Sequence, residues 1–313
     1  MSQLGTLPAA PAQDMQSYLE QAVLLGRRAA KHGRVCTQIP ALSTVPHDKF
    51  GMAVATVDGY KYAVGDSSEL FSIQSLSKLF SLCALLRLDP EAWARVGWEP
   101  TDSGYGSVAE LERTSGQPRN PFVNPGALVV TDRLISLTGD AVSATADLIR
   151  DSAGIGSPIV QSDPRVALSE ANTDHRNAAI AHILTANKKL ANSIDQVLTQ
   201  FFAHSAISAS VQMLADAALI LADRSETPQI LDVATVRRVN AVLLMSGMYG
   251  AAGETAYKIG LPAKSGIGGG VLAIMPGKGV VCAWSPPLNE VGNSAGGIAA
   301  IEEFARLANW SVF

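Results

Sequence analysis

The chain has 313 residues, of which 47% are hydrophobic and only 17% charged, with a formal net charge of -4. That content is enough to bury a large core and excludes disorder over most of the length, and the charged share lies below the usual quarter. No basic run suits a nucleic acid, no stretch is long and apolar enough to span a bilayer, and no basic-then-apolar leader opens the chain, so a cytoplasmic protein without nucleic-acid or membrane partners is expected.

From the N-terminus, residues 1–13 read as a loose Pro- and Ala-containing arm, and Asp14 as the cap of an amphipathic helix running to about Lys31. Residues 51–57 and 60–64 read as two strands around Asp58-Gly59, a strong hairpin signal. From Ser75 to about Met248 the pattern is largely helical, with apolar residues at helical spacing over 127–137, 178–190, 194–203, 211–221 and 233–245. Strands return at 271–275 and 280–284 around Pro276-Gly277-Lys278-Gly279, and 296–309 closes as a helix. Strands at both ends around a helical block predict an α+β fold, an antiparallel sheet built from both chain ends, flanked by helices and carrying a helical insertion. We expect a single domain over 1–313, with a sheet subdomain at about 35–80 and 250–313 and a mainly helical one at about 81–249.

Familiar chemistries find little support. Cys36, Cys83 and Cys282 lack metal-like or CxxC spacing and read as reduced core thiols. The histidines form no HExxH and no i,i+4 pair, so no metal is expected; His175 and His182 read as solvated helix residues. There is no G-x-S-x-G elbow. Gly266-Ile267-Gly268-Gly269-Gly270 follows Lys264-Ser265, the reverse of a P-loop, and leads into a strand, which argues against a nucleotide.

What stands out is Ser75 followed three residues later by Lys78, at the start of an apolar helical stretch. At that spacing hydroxyl and amine share a helical face, and a desolvated amine is a base for a serine nucleophile. The bland alternative is an exposed lysine near a helix N-terminus. Downstream, Lys264-Ser265-Gly266 just before a strand resembles the lysine-serine/threonine-glycine element of penicillin-recognising enzymes, which also use a serine-x-x-lysine pair.

The blocks Gln74-Ser75-Leu76-Ser77-Lys78, Val96-Gly97-Trp98-Glu99-Pro100, Asn120-Pro121-Phe122-Val123-Asn124, Ser169-Glu170, Arg176-Asn177, Ser246-Gly247-Met248-Tyr249, Gly260 through Gly266 and Trp284-Ser285-Pro286-Pro287-Leu288 together resemble the serine-dependent glutaminases, from about Val35 to the C-terminus. The resemblance implies a β-lactamase-like fold, cofactor-free hydrolysis of L-glutamine to L-glutamate and ammonia, and a homodimer or homotetramer. It implies Ser75 as nucleophile, Lys78 as base and Tyr249 as the phenol assisting proton transfer to ammonia. The N–H groups of Ser75 and Ile267 would form the oxyanion hole. Gln74, Asn124, Glu170 and Asn177 match substrate-contacting positions, with Glu170 suited to an α-ammonium and the asparagines to an α-carboxylate. Asn124-Pro125 also reads as a helix cap with Pro at the first helical position. Glu170 and Asn177 share a face if their helix is continuous, Tyr249 has a plain core alternative, and Lys264 and Ser265 could hold the sheet to the helices.

The chain also departs from the family pattern. Gln38 precedes Ile39-Pro40 where a tyrosine is usual, Phe201-Phe202 replaces tyrosine-phenylalanine, and His204-Ser205-Ala206 replaces glutamine-cysteine-serine. Gly250 stands for an aspartate and Pro125 for an alanine. Each lost phenol is expected to weaken glutamine binding roughly tenfold to a hundredfold unless the Gln38 amide compensates. Three functions fit these residues: a glutaminase, an amidase or acyl-transfer enzyme for another small amide, and a silent amino-acid-binding homologue.

Overall fold

In the computed structural model, which describes residues 12–154, 160–223 and 230–313, the chain opens with α1 (Ala12–Ala30) and the hairpin β1 (Gly51–Thr56) and β2 (Lys61–Gly65). Strand β3 (Phe71–Ser72) leads through a 3₁₀ turn, Gln74–Leu76, into α2 (Ser77–Leu88), followed by α3 (Trp93–Val96), α4 (Val108–Arg113), α5 (Asn124–Thr138) and α6 (Ala141–Ala153). Then come β4 (Gln161–Ser162), α7 (Pro164–Ala171), α8 (His175–Ala186), α9 (Ile194–Ser205), β5 (Ile207–Ala209), α10 (Val211–Ala217), α11 (Val233–Ser246) and α12 (Ala252–Lys258). Strands return as β6 (Ala263–Ser265), β7 (Gly270–Met275) and β8 (Gly279–Trp284), before α13 (Ala295–Ala308).

The main sheet has the order β2-β1-β8-β7-β6, antiparallel throughout, and β1 pairs with β8 so that Val54 faces Val281. The two chain ends thus build one sheet, as the strand pattern predicts. Its side chains alternate faces with period two. Met52, Val54, Val271, Ala273 and Val281 pack under α1 and α13, against Leu19, Val23, Ile301 and Phe304. Ala53, Ala55, Leu272, Ile274 and Cys282 join the helical core on the opposite face. Within that core Ser77 through Leu86 of α2 are all buried, as in a helix surrounded by others. All three cysteines are free and buried.

Local chemistry sets most helix starts: Asp140, Asp163, Asp174, Ser193, Ser210, Asp232 and Ser294 each accept a backbone N–H at the N-cap of the helix that follows. Several expectations need correcting. Residues 1–11 of the expected arm lie outside the described residues, and α1 already includes Ala12, so Asp14 sits in the first turn, where the helix dipole favours it, rather than at the cap. The helix expected over 178–190 ends at Ala186, because Lys188 adopts a left-handed φ of 57°. Lys264 and Ser265 precede the strand β7, as read, and also form a strand of their own: the turn closed by Gly266 N–H to the Gly270 carbonyl folds them back on β7. The helical block also contributes β4 and β5 to a small sheet, β3-β5-β4, whose two- and three-residue strands are too short for periodicity to reveal. Among the described residues no helix is long and apolar enough to cross a membrane.

Candidate active site

Ser75 occupies the 3₁₀ turn that feeds α2 and is half-buried, open enough to meet a ligand. The preceding residue, Gln74, holds a left-handed φ of 48°, and Tyr249 one of 55°. Such strain in non-glycine residues, costing of order 1–3 kcal/mol each, gathers at functional sites. Gly266 completes the corner. A Cβ there would stand 2.8 Å from the Ile73 carbonyl oxygen and 3.2 Å from the Ser75 nitrogen, so only glycine lets the β6–β7 turn lie against the backbone of Ser75. Among the described residues neither the Ser75 nor the Ile267 N–H donates to an acceptor, and two such unengaged donors are what an oxyanion needs. Trp284 secures this turn: its Nε1 donates to the Gly268 carbonyl at 3.0 Å, and its ring stacks on Phe71 with centroids 5.0 Å apart. The Ser285 N–H donates to the Gly269 carbonyl, also at 3.0 Å.

Lys78 is buried, but its amine does not hydrogen-bond to Ser75. It donates instead to Asn124 Oδ1 at 2.6 Å and to the Phe122 carbonyl at 3.3 Å, acceptors that a buried amine needs. Burial lowers Lys78 to about 7, with the negative charges of Glu170 and Asp174 opposing. The other amine, Lys264, is fully buried and donates to the Tyr249 hydroxyl at 2.9 Å and to the Ser265 carbonyl at 2.6 Å. Burial and then the charge of Lys78 bring Lys264 well below the ordinary lysine value. Burial pushes the Tyr249 phenol up, hydrogen bonding with Ser75 opposes this, and Tyr105 adds a smaller push. Tyr249 is therefore no plain core residue: it is half-buried, and its hydroxyl accepts from Lys264 rather than bonding to backbone. Ser265 hydrogen-bonds through Oγ to Asn293 Oδ1 at 2.6 Å and points to the loop before α13, not to Ser75.

A directed chain of amides lies beyond Lys78. Asn124 Nδ2 donates to Asn177 Oδ1 at 2.9 Å, and Asn177 Nδ2 donates to Asp174 Oδ2 at 2.6 Å. Each amide keeps a further N–H. Asn124 is the first residue of α5 and not its cap, which is Val123, because the amide is engaged here. Glu170 and Asn177 belong to separate helices: Asp174 caps α8 and breaks the continuity. Glu170 is 7% exposed, and its Oε2 is buried without a hydrogen-bond partner among the described residues. Burial pushes it up to about 8, Asp174 adds to this, and Lys78 and the Gln74 amide oppose it. A buried, unpartnered carboxylate oxygen suits a cationic ligand group.

Gln38 is exposed and makes no hydrogen bond to the described residues, so nothing supports compensation by its amide. Phe201 is 2% exposed, packed edge-on against Phe202 and His204. His175 and His182 are exposed. Sequence reasoning missed Tyr105, whose ring lies 5.1 Å from that of Tyr249 and 6.0 Å from the Lys78 amine, and which no motif marks. It missed Asp174 too, although an Asp three residues before Asn177 is a capping signal.

The glutaminase family model matches residues 33–313. The glutaminase of Aeromonas hydrophila is 44% identical over 287 residues, covering 90% of this chain and 93% of its own. The structure of a probable glutaminase, YbaS, superposes with a TM-score of 0.89 at 30% identity, over 97% of this chain and 99% of the other. A covalent complex of the Bacillus subtilis glutaminase YbgJ with 5-oxo-L-norleucine, formed by reaction with 6-diazo-5-oxo-L-norleucine, matches with a TM-score of 0.81 at 26% identity, over 97% and 100% of the two chains. These matches bear out both the family resemblance and the β-lactamase-like α+β fold expected from the motifs. The strained serine turn, its paired buried amines and the glycine-lined strand edge thus lie in a chain that belongs to the glutaminase family.

Proposed function

We propose that this protein is a glutaminase, hydrolysing the side-chain amide of L-glutamine to L-glutamate and ammonia through an acyl-enzyme on Ser75. The observation that carries this reading is a half-buried serine flanked by two unengaged N–H donors, a phenol and two buried amines held below their ordinary basicity. The relative's ligand supports the substrate, since carbon 5 of 5-oxo-L-norleucine is the counterpart of the amide carbon of glutamine.

In this reading Ser75 Oγ attacks the amide carbon and its proton passes to Lys78, whose catalytic hydrogen bond tightens on substrate binding. The oxyanion rests on the Ser75 and Ile267 N–H groups. Tyr249, backed by Lys264, gives the amide nitrogen the proton that lets ammonia leave. Water then attacks the ester and gives its proton to the Tyr249 phenolate, and the C–O bond to Ser75 breaks as Lys78 returns the proton to Oγ and glutamate departs. Glu170 pairs with the α-ammonium, while Gln74 and the remaining N–H groups of Asn124 and Asn177 orient the other end of the substrate.

The test is ammonia release from L-glutamine, L-asparagine and the glutamine analogue lacking its α-amino group. Glutamine should be the favoured substrate; turnover confined to a different amide would assign the site to another amidase. Glu170→Gln is expected to raise the KM for glutamine about tenfold to a hundredfold with kcat little changed, since a charge-assisted hydrogen bond is lost. An unchanged KM would remove Glu170 from the substrate site. Gly266→Ala is expected to lower kcat about a hundredfold, because the new methyl displaces the turn from the oxyanion corner. A wild-type kcat in that variant would show that the Gly266 contact does not set the oxyanion hole.

A further inference from the structure

We propose that His204 is a positioning residue, a neutral bridge that fixes the turn between Ser75 and Lys78 by joining Ser77 to Thr131. The proposal rests on the reading of Ser75 as nucleophile. His204 ends α9 and is fully buried, with Nδ1 2.9 Å from Ser77 Oγ and Nε2 2.9 Å from Thr131 Oγ1. The tautomer follows from the neighbours. Thr131 spends its only hydroxyl proton on the Ala127 carbonyl, at 2.9 Å, so it accepts from His204 Nε2–H. Nδ1 is left as an acceptor, and Ser77 donates to it.

Both ring nitrogens are therefore used, and the imidazole has no proton site to offer a substrate. Burial and the nearby charge of Lys78 take it down to about 3, so it stays neutral at working pH. What the ring holds matters for the chemistry. Ser77 lies between nucleophile and base, and Thr131 lies on α5 two turns beyond Asn124, which receives the Lys78 amine. The serine turn is thus tied to α5 at two points, one through Lys78 and one through His204. Phe201 packs edge-on against the imidazole at 5.3 Å and keeps its plane. A glutamine amide at this position would offer an acceptor and a donor in the same sense.

The experiment is steady-state ammonia release from L-glutamine by wild type, H204F, H204Q, S77A and the H204F/S77A double variant, with thermal melts and S75A alongside. H204F and S77A are each expected to lower kcat about tenfold to a hundredfold with KM within about threefold, as small misplacements of reacting groups do. The double variant should be no worse than the worse single one, because both break the same bridge. H204Q should recover most of the loss. A wild-type kcat in S77A, a multiplicative double variant, or an H204Q as impaired as H204F would each overturn the proposal. Should H204F not fold, S77A decides alone, since it deletes one oxygen and leaves the imidazole in place. An active S75A would overturn the parent reading and this one with it, whereas an inactive S75A beside a fully active S77A would overturn only the bridge.

Discussion

Ser75→Ala is expected to lower ammonia release from L-glutamine by at least about a thousandfold while leaving fold and substrate binding intact. The loss should be this large because the neighbouring serine hydroxyl cannot substitute: Ser77 is buried and committed to His204. Binding should survive because the groups assigned to the α-amino acid end, Glu170, Asn124 and Asn177, sit on α5, α7 and α8. Calorimetric titration with glutamine measures that directly. Treatment with 6-diazo-5-oxo-L-norleucine gives a second readout: wild type should gain the mass of one bound 5-oxo-norleucine on the peptide containing Ser75, and the variant should gain none. Activity in S75A within about tenfold of wild type would mean that another group attacks the amide.

Lys78→Met is expected to cost a comparable factor, again at least about a thousandfold in kcat, with unaltered folding. Methionine matches the volume of the lysine stem, and removing a buried amine lifts a desolvation cost, so the melting temperature should not fall far. The pH profile sharpens the test. Burial holds Lys78 at about 7, so the amine is neutral and able to accept the serine proton above that value and charged below it. If Glu170 pairs with the substrate ammonium as proposed, it stays ionised in the complex across this range, and kcat is expected to report Lys78. Wild-type kcat should fall about tenfold for each pH unit below the midpoint, and the residual rate of the methionine variant should lack that limb. A flat wild-type kcat from about pH 6 to about 8, or a methionine variant with most of the activity, would take the base role from Lys78.

Several of the residues in these predictions were legible in the sequence, but not their contacts. Ser75 and Lys78 were visible as a spacing, and spacing implied that they touch. In the fold the amine prefers Asn124, 46 residues away, because a buried donor takes the best acceptor available. Glu170 and Asn177 were visible as a pair on one helix, and Asp174 between them splits it in two. The wish for a compensating Gln38 failed because that side chain faces solvent. Phe201 was visible as a missing hydroxyl, but only packing reveals that its ring lies in the core beside a buried histidine.

The sequence by itself determined the hairpin at Asp58-Gly59, most of the longer helices, the return to strands near the C-terminus and the family. These rest on local signals, namely periodicity, turn residues, caps and short motifs, which a few neighbouring positions carry. The tertiary structure alone decided which polar groups meet. Ser77 and His204 stand 127 residues apart, and the lowered basicity of Lys78 and the raised pKa of Glu170 come from burial by several distant segments. Burial and hydrogen-bond partnership are properties of the assembled core, so they become readable only once helices and sheet have closed around these groups.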